Sequence, residues 1–229
     1  KAAAPDKPFF LYLAYNAPHA PIQAPTDVVA KYRGKYLKGW DAIRRDRYEK
    51  QKAIGLAGPG WNLPERPANI PAWDSLDERN RDFEDLRMAT YAAMVDCVDQ
   101  GVGRVMQTLE ELNLRDNTLV IFLNDNGASP NDRVRRGEFG MPGTTWNVGL
   151  GWAHASNTPF KYYKRSQHSG GITTPFIAHW PAAIKPRAGY EDQPCHVTDV
   201  LPTLIEICGG KYPAEFGGKQ HPPLPGWPL

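Results

Sequence analysis

The chain has 229 residues, 41% of them apolar, and 27 Lys and Arg against 25 Asp and Glu leave a formal net charge of +2 with histidine neutral. That suits one large globular domain or two small ones and supplies no overall field for nucleic acid or an anionic membrane. No apolar run approaches the ~20 residues that span a bilayer, the opening Lys-Ala-Ala-Ala-Pro-Asp lacks the apolar stretch of a signal peptide, and Cys97, Cys195 and Cys208 are too few and scattered for a disulfide framework or a zinc ribbon.

The apolar and aromatic run at residues 8–14 predicts a first strand, and the turn Asn16-Ala17-Pro18-His19-Ala20-Pro21 after it puts His19 at a strand end. Residues 26–52 turn helical and basic. Their interleaved Tyr32, Tyr36, Trp40 and Tyr48 could mark a nucleic-acid surface, but a charged helix face with aromatics packed beneath it is the usual meaning of such a run. Pro and Gly at residues 55–73 indicate a surface loop. Ser75-Leu76-Asp77-Glu78 reads as a capping box for a long helix with apolar positions Tyr91, Val95, Val98, Val102, Val105, Leu109 and Leu112. Gly101 and Gly103 within it are expected at close packing against a sheet, and Cys97 beside Val98 as a structural residue.

Residues 118–127 are the most informative stretch: Thr-Leu-Val-Ile-Phe-Leu stops abruptly at Asn124-Asp125-Asn126-Gly127. The absence of polar alternation suits a strand buried on both faces of a largely parallel sheet, and open α/β sheets bind ligands beyond the carboxyl ends of their strands. Asp and Asn offer hard oxygen ligands for Ca²⁺ or Mg²⁺, although an ordinary Asx turn explains the same residues equally well. Residues 128–157 show no sustained period, and a connection that long is usually functional or mobile. Residues 174–180 predict a third strand and 199–208 a short helix ended by Gly209-Gly210. The early first strand and the Pro-rich close, which ends on no recognisable element, suggest a fragment.

Three polar clusters thus lie beside buried strands: Pro18-His19-Ala20-Pro21, Asn124-Asp125-Asn126-Gly127, and the segment from Lys164 to Gly170-Gly171 ahead of the residue 174 strand. With Tyr-Ala-Ala-Met-Val-Asp-Cys-Val-Asp-Gln, Asn-Thr-Pro-Phe-Lys-Tyr-Tyr-Lys and Thr-Pro-Phe-Ile-Ala-His-Trp-Pro, in this order and over nearly the whole chain, they resemble the sulfatase family, in particular bacterial-type arylsulfatases of the alkaline-phosphatase-like superfamily. The resemblance implies a three-layer α/β fold, a mainly parallel sheet between helices, with residues 1–229 forming the middle and later part of a catalytic domain. It implies a divalent cation, Ca²⁺ or alternatively Mg²⁺, on Asp125 and Asn126. It also implies that His19 touches the sulfate ester and assists the leaving group, and that Lys164 binds sulfate oxygens, with Lys161 the competing register.

Where the family most often has Glu before the glycine pair, this chain has Ser169. His154 and His168 take no role from the resemblance, and His179, within a strand, is expected to be packed. The family's formylglycine nucleophile comes from the Cys of Cys-x-Pro-x-Arg, and further metal ligands from an Asp-Asp pair; neither motif occurs in these 229 residues. The expected activity is hydrolysis of a sulfate monoester on a small molecule or glycan, in a periplasmic, secreted or lysosomal setting. The rivals are a phosphoester or phosphonate hydrolase of the same superfamily with Thr or Ser as nucleophile, and a non-catalytic paralogue or binding module.

Overall fold

A computed structural model describes residues 7–132 and 136–229; the Lys-Ala-Ala-Ala-Pro-Asp start and residues 133–135 of the long connection lie outside the described residues. The chain divides into two compact units, Lys1–Arg187 and Ala188–Leu229.

In the first unit the basic stretch forms α1 (Thr26–Ala30) and α2 (Gly39–Ala53), followed by a 3₁₀ turn, Trp73–Ser75, and the 34-residue α3 (Glu78–Glu111). The aromatics are packed, as the helix-face reading expects. Trp40, Trp73 and Trp152 meet edge to face with centroids 4.9 to 5.8 Å apart, and Tyr36 sits 5.7 Å from Trp152. Such pairs add about 0.5–1.5 kcal/mol each beyond the area they bury. Ile70, Val148, Ala153 and Ala155 complete this core, while Val28 and Val29 of α1 pack on Ala89 and Ala93 of α3. The indole N–H groups are satisfied inside it, Trp40 donating to the Pro71 carbonyl at 3.1 Å and Trp152 to that of Glu84 at 3.0 Å. Buried Asp85 ties the turn after α1 to α3 by pairing with Arg33 and accepting the Gly34 and Tyr36 N–H groups at 2.8 and 2.9 Å.

The expected strands at residues 119–123 and 174–180 form as β1 (Val120–Leu123) and β2 (Phe176–His179), with α4 (Leu150–Ser156) and α5 (Ser169–Ile172) between them. The pairing corrects the parallel expectation: β1 and β2 run antiparallel, Val120 opposite His179 and Leu123 opposite Phe176. β1 is not buried on both faces either, since Phe122 is 36% exposed. A continuous apolar run signals burial only if something covers both faces, and among the described residues β1 has one partner strand. A three-layer arrangement around a parallel sheet is therefore not what the described residues form.

Several local expectations also change. Residues 8–14 form no strand; Phe10 and Tyr12 are 77% and 81% exposed, because a strand exists by its ladder and none of the described residues pairs with this one. The helix α3 is capped by Asp77, whose carboxylate accepts the Asn80 N–H at 2.8 Å, whereas Ser75 donates back to the Ala72 carbonyl. Gly101 does mark a close approach, but to the Tyr15 ring rather than a sheet, and Gly103 faces open space. The surface loop at residues 55–73 buries Ile70 and Trp73 at its end, and the connection at residues 128–157 contains α4. Cys97 packs beside the α1–α3 cluster.

The second unit holds a 3₁₀ turn, Val197–Asp199, the expected helix α6 (Val200–Ile207) and a hairpin of β3 (Glu215–Phe216) and β4 (Lys219–Gln220). Gly217 and Gly218, with φ of 59° and 74°, form its two-residue turn. Asp199 accepts the Trp227 N–H at 3.0 Å and the His196 N–H at 2.7 Å, which hold its carboxyl below the usual range.

Candidate active site

The site is assembled where β1 ends. Gly127 N–H donates to the Gly171 carbonyl at 3.1 Å, and Lys164 N–H donates to the Ala128 carbonyl at 3.0 Å. Ala128 N–H in turn donates to the Asn157 side-chain oxygen at 3.0 Å, while the Asn157 amide donates to the Tyr162 carbonyl at 3.1 Å. The Asp125-Asn126-Gly127 turn is thereby stitched to the segment 157–171, far away in sequence. The glycines make this contact possible: a Cβ on Gly127 would strike the Gly170 carbonyl, and one on Gly170 the Lys161 and Tyr162 carbonyls. The loop carries strain, since Tyr162 and Arg165 hold φ of 64° and 77°. Left-handed backbone at non-glycine residues costs on the order of 1 kcal/mol or more each and concentrates at functional sites.

His19 arrives from the other end of the unit, between two cis prolyl bonds, Ala17-Pro18 and Ala20-Pro21. Its Nδ1 lies 2.8 Å from the Ala20 carbonyl and its Nε2 lies 3.4 Å from Lys164 Nζ. A carbonyl only accepts and an ammonium only donates, so these partners assign the proton to Nδ1 and the lone pair to Nε2. Lys161, the competing register, instead sets its ammonium 4.9 Å from the centre of the Tyr162 ring. The structure therefore brings together His19 and Lys164, and ties the backbone of Lys164 to Ala128, just after the turn that carries Asp125 and Asn126.

Asp125 is exposed, and the Asn126 amide nitrogen donates to the Gly127 carbonyl at 3.0 Å, which leaves the amide oxygen as the group to offer a ligand. One carboxylate and one amide oxygen suit a hard cation in kind, but Ca²⁺ takes 6–8 oxygens by roughly this chemistry. No cluster of three or more His, Cys, Asp or Glu side chains that could hold a metal occurs among the described residues.

Residues missed by sequence reasoning hold the loop in place. Arg44 of α2 is buried and donates to the carbonyls of His154 at 2.9 Å, Pro159 at 3.1 Å and Phe160 at 2.9 Å, and to the Thr158 hydroxyl at 3.4 Å. Burial, then the neighbouring Arg47, pushes its pKa down to about 10. Gln51 adds a bond to the Thr158 carbonyl at 2.8 Å. In sequence Arg44 is one of many cations on a basic helix; nothing local distinguishes it. His154 is buried in α4, its ring nitrogens without a hydrogen-bond partner among the described residues, and burial followed by Arg44 and Arg66 pushes its pKa down to about 4. His168 packs 4.7 Å from the Tyr162 ring with Nδ1 2.9 Å from the Ser166 hydroxyl, and His179 lies half-buried on β2, as expected.

The Sulfatase family model matches residues 1–210 of the chain. The chain belongs to the sulfatase family. It is 33% identical to an uncharacterized sulfatase of Schizosaccharomyces pombe over 93% of its own length and 41% of that protein. It is 32% identical to the arylsulfatase of Klebsiella aerogenes over 91% and 48% respectively. The chain thus spans less than half the length of these curated relatives. The crystal structure of Ps i-CgsB in complex with k-i-k-neocarrahexaose is similar to it with a TM-score of 0.55 and 28% identity, covering 93% of this chain and 32% of that one. A sulfatase assignment carries an alkaline-phosphatase-like α/β fold with it.

Proposed function

We propose that this chain supplies the later part of a sulfatase catalytic centre, which hydrolyses a sulfate monoester of a small molecule or glycan. The observation that carries the reading is the meeting of His19 Nε2 and Lys164 Nζ beside the Asp125-Asn126 turn, residues 145 positions apart in sequence. Sulfuryl transfer resembles phosphoryl transfer: charge spreads over equatorial oxygens, and catalysis rests on positioning and on cationic clamps. Lys164 neutralises one such oxygen. His19 holds Nε2 toward the ester and, once protonated there, passes a proton to the departing oxygen.

Asp125 and Asn126 are the residues that would hold a divalent cation, most simply Ca²⁺, which would draw charge from the sulfate oxygens. The remaining ligands, and the formylglycine nucleophile expected of the family, lie outside the residues of this chain in this reading. The Ps i-CgsB complex with an oligosaccharide supports a sulfated glycan as the substrate class.

The test is turnover of 4-nitrophenyl sulfate against 4-nitrophenyl phosphate by the full-length protein, with calorimetric Ca²⁺ titration of wild type and Asp125→Ala. The expected result is a preference for sulfate and a Ca²⁺ affinity lowered at least tenfold by the substitution. A preference for phosphate would overturn the reaction class, and unchanged Ca²⁺ affinity would overturn the metal assignment.

A further inference from the structure

A cleft of about 200 Å³ is lined by Trp61, Asn62, Phe160, Lys161, His168 and Ser169 together with two prolines, several of them on the loop that carries Lys164. Its wall is an indole held in place yet left wet. Trp61 is 43% exposed, its ring lies 5.3 Å from that of Phe160, its backbone N–H donates to the Gly58 carbonyl at 3.0 Å, and the Tyr48 hydroxyl donates to its backbone carbonyl. An exposed large aromatic already packed against a neighbouring ring loses less side-chain freedom when a ligand stacks on it. The lining also includes the polar residues Asn62, Lys161 and His168. The volume is below the roughly 300–1,000 Å³ of pockets for drug-sized ligands, so it accepts one ring rather than a whole oligosaccharide.

We propose that this cleft is a sugar-binding subsite: Trp61 stacks against the apolar face of the pyranose next to the sulfated one, while Asn62 and His168 bond its hydroxyls and Lys161 meets a second sulfate. The inference rests on the reading of His19 and Lys164 as the sulfate site, because Lys161, His168 and Ser169 belong to the loop that carries Lys164. A flat aryl group would also stack on Trp61, but it offers no hydroxyl or second sulfate to Asn62, Lys161 and His168. That polar complement is what selects a glycan. It also gives Lys161 a role distinct from that of Lys164, consistent with its ammonium lying over Tyr162 rather than at His19.

The experiment is calorimetry on the full-length protein with three probes: inorganic sulfate, a sulfated neocarrahexaose and the same hexasaccharide after desulfation. The expected result is that Trp61→Ala weakens both hexasaccharides at least tenfold and leaves inorganic sulfate unchanged, that Trp61→Phe restores most of the loss, and that Lys161→Gln weakens only the sulfated hexasaccharide. Lys164→Ala should do the converse of Trp61→Ala, weakening inorganic sulfate and sparing the desulfated sugar. Circular dichroism on Trp61→Ala controls for folding, which the exposed position favours. Hexasaccharide binding that is absent, or indifferent to Trp61→Ala, overturns the subsite, as does a Trp61-dependent preference for naphthyl sulfate over the hexasaccharide. Trp61-dependent sugar binding with no binding of inorganic sulfate keeps the subsite and removes the sulfate reading of Lys164.

Discussion

The two lysines of the 161–164 segment differ in what they touch, and the chemistry follows from that difference. Lys164 Nζ lies 3.4 Å from His19 Nε2, whereas the Lys161 ammonium lies over the Tyr162 ring. In the full-length enzyme His19→Ala and Lys164→Ala should each lower turnover of an aryl sulfate by roughly 10²-fold or more, the scale of removing one preorganised stabilising group, with little change in melting temperature. Lys161→Ala should be mild on the same substrate; an essential Lys161 with a dispensable Lys164 would reverse the register.

His154 makes a separate, pH-dependent contribution. Its pKa is pushed from 6.5 to about 4 in the folded chain, so below pH 6.5 the unfolded chain takes up a proton that the folded chain refuses. Stability is therefore full above about pH 6.5 and declines as pH falls toward 4, by up to about 3 kcal/mol since each tenfold in proton affinity is ~1.4 kcal/mol. Denaturant midpoints of wild type and His154→Leu between pH 7 and pH 4 check this. The substitution should flatten the slope, and an unaltered slope would assign the acid sensitivity to other groups.

At the scale of elements, the start of α3 separates two capping schemes that the local sequence allows. Asp77 provides the cap and Ser75 is occupied one turn earlier. Asp77→Ala is expected to lower unfolding stability by about 1 kcal/mol, the usual cost of losing an N-cap side chain, and Ser75→Ala by clearly less, both measured by chemical denaturation. Equal losses would restore the Ser75 capping box. Residues 75–78 match the box template, yet their own backbone decides which oxygen reaches the first free N–H groups, and Trp73 anchored in the core sets that backbone. The elements legible in sequence were those with a strong period or clean punctuation: α3, α6 before Gly209-Gly210, and the strands that became β1 and β2. The hairpin at Gly217-Gly218 and the short α4 were not, because a two-residue strand and a seven-residue helix carry too few positions to show a period.

For the whole molecule, the exposed apolar run and the thin sheet are one fact. Phe9, Phe10, Leu11, Tyr12 and Leu13 stand between 45% and 81% exposed, and Ile177 on β2 is 55% exposed. A two-stranded sheet is marginal by itself, and contiguous exposed apolar surface promotes association. The 229-residue chain alone should bind a hydrophobic dye and associate as its concentration rises, measured by fluorescence and light scattering, and should neither turn over an aryl sulfate nor bind Ca²⁺ tightly. EDTA-sensitive hydrolysis by the purified chain would show that the nucleophile lies within these residues after all.

The sequence by itself determined the chemical inventory and its order: a strand ending in Asp125 and Asn126, a histidine in a proline turn, and a lysine ahead of a glycine pair, together enough to point to the sulfatase family. Those are short-range patterns, set by residue type and spacing along a few positions. Tertiary structure alone decided that Lys164 rather than Lys161 meets His19, that β2 runs antiparallel to β1, and that Arg44 and Asn157 hold the loop in register. Each of these is a contact between residues far apart in the chain, where direction and partner depend on how the backbone closes, and no local period or propensity encodes that closure.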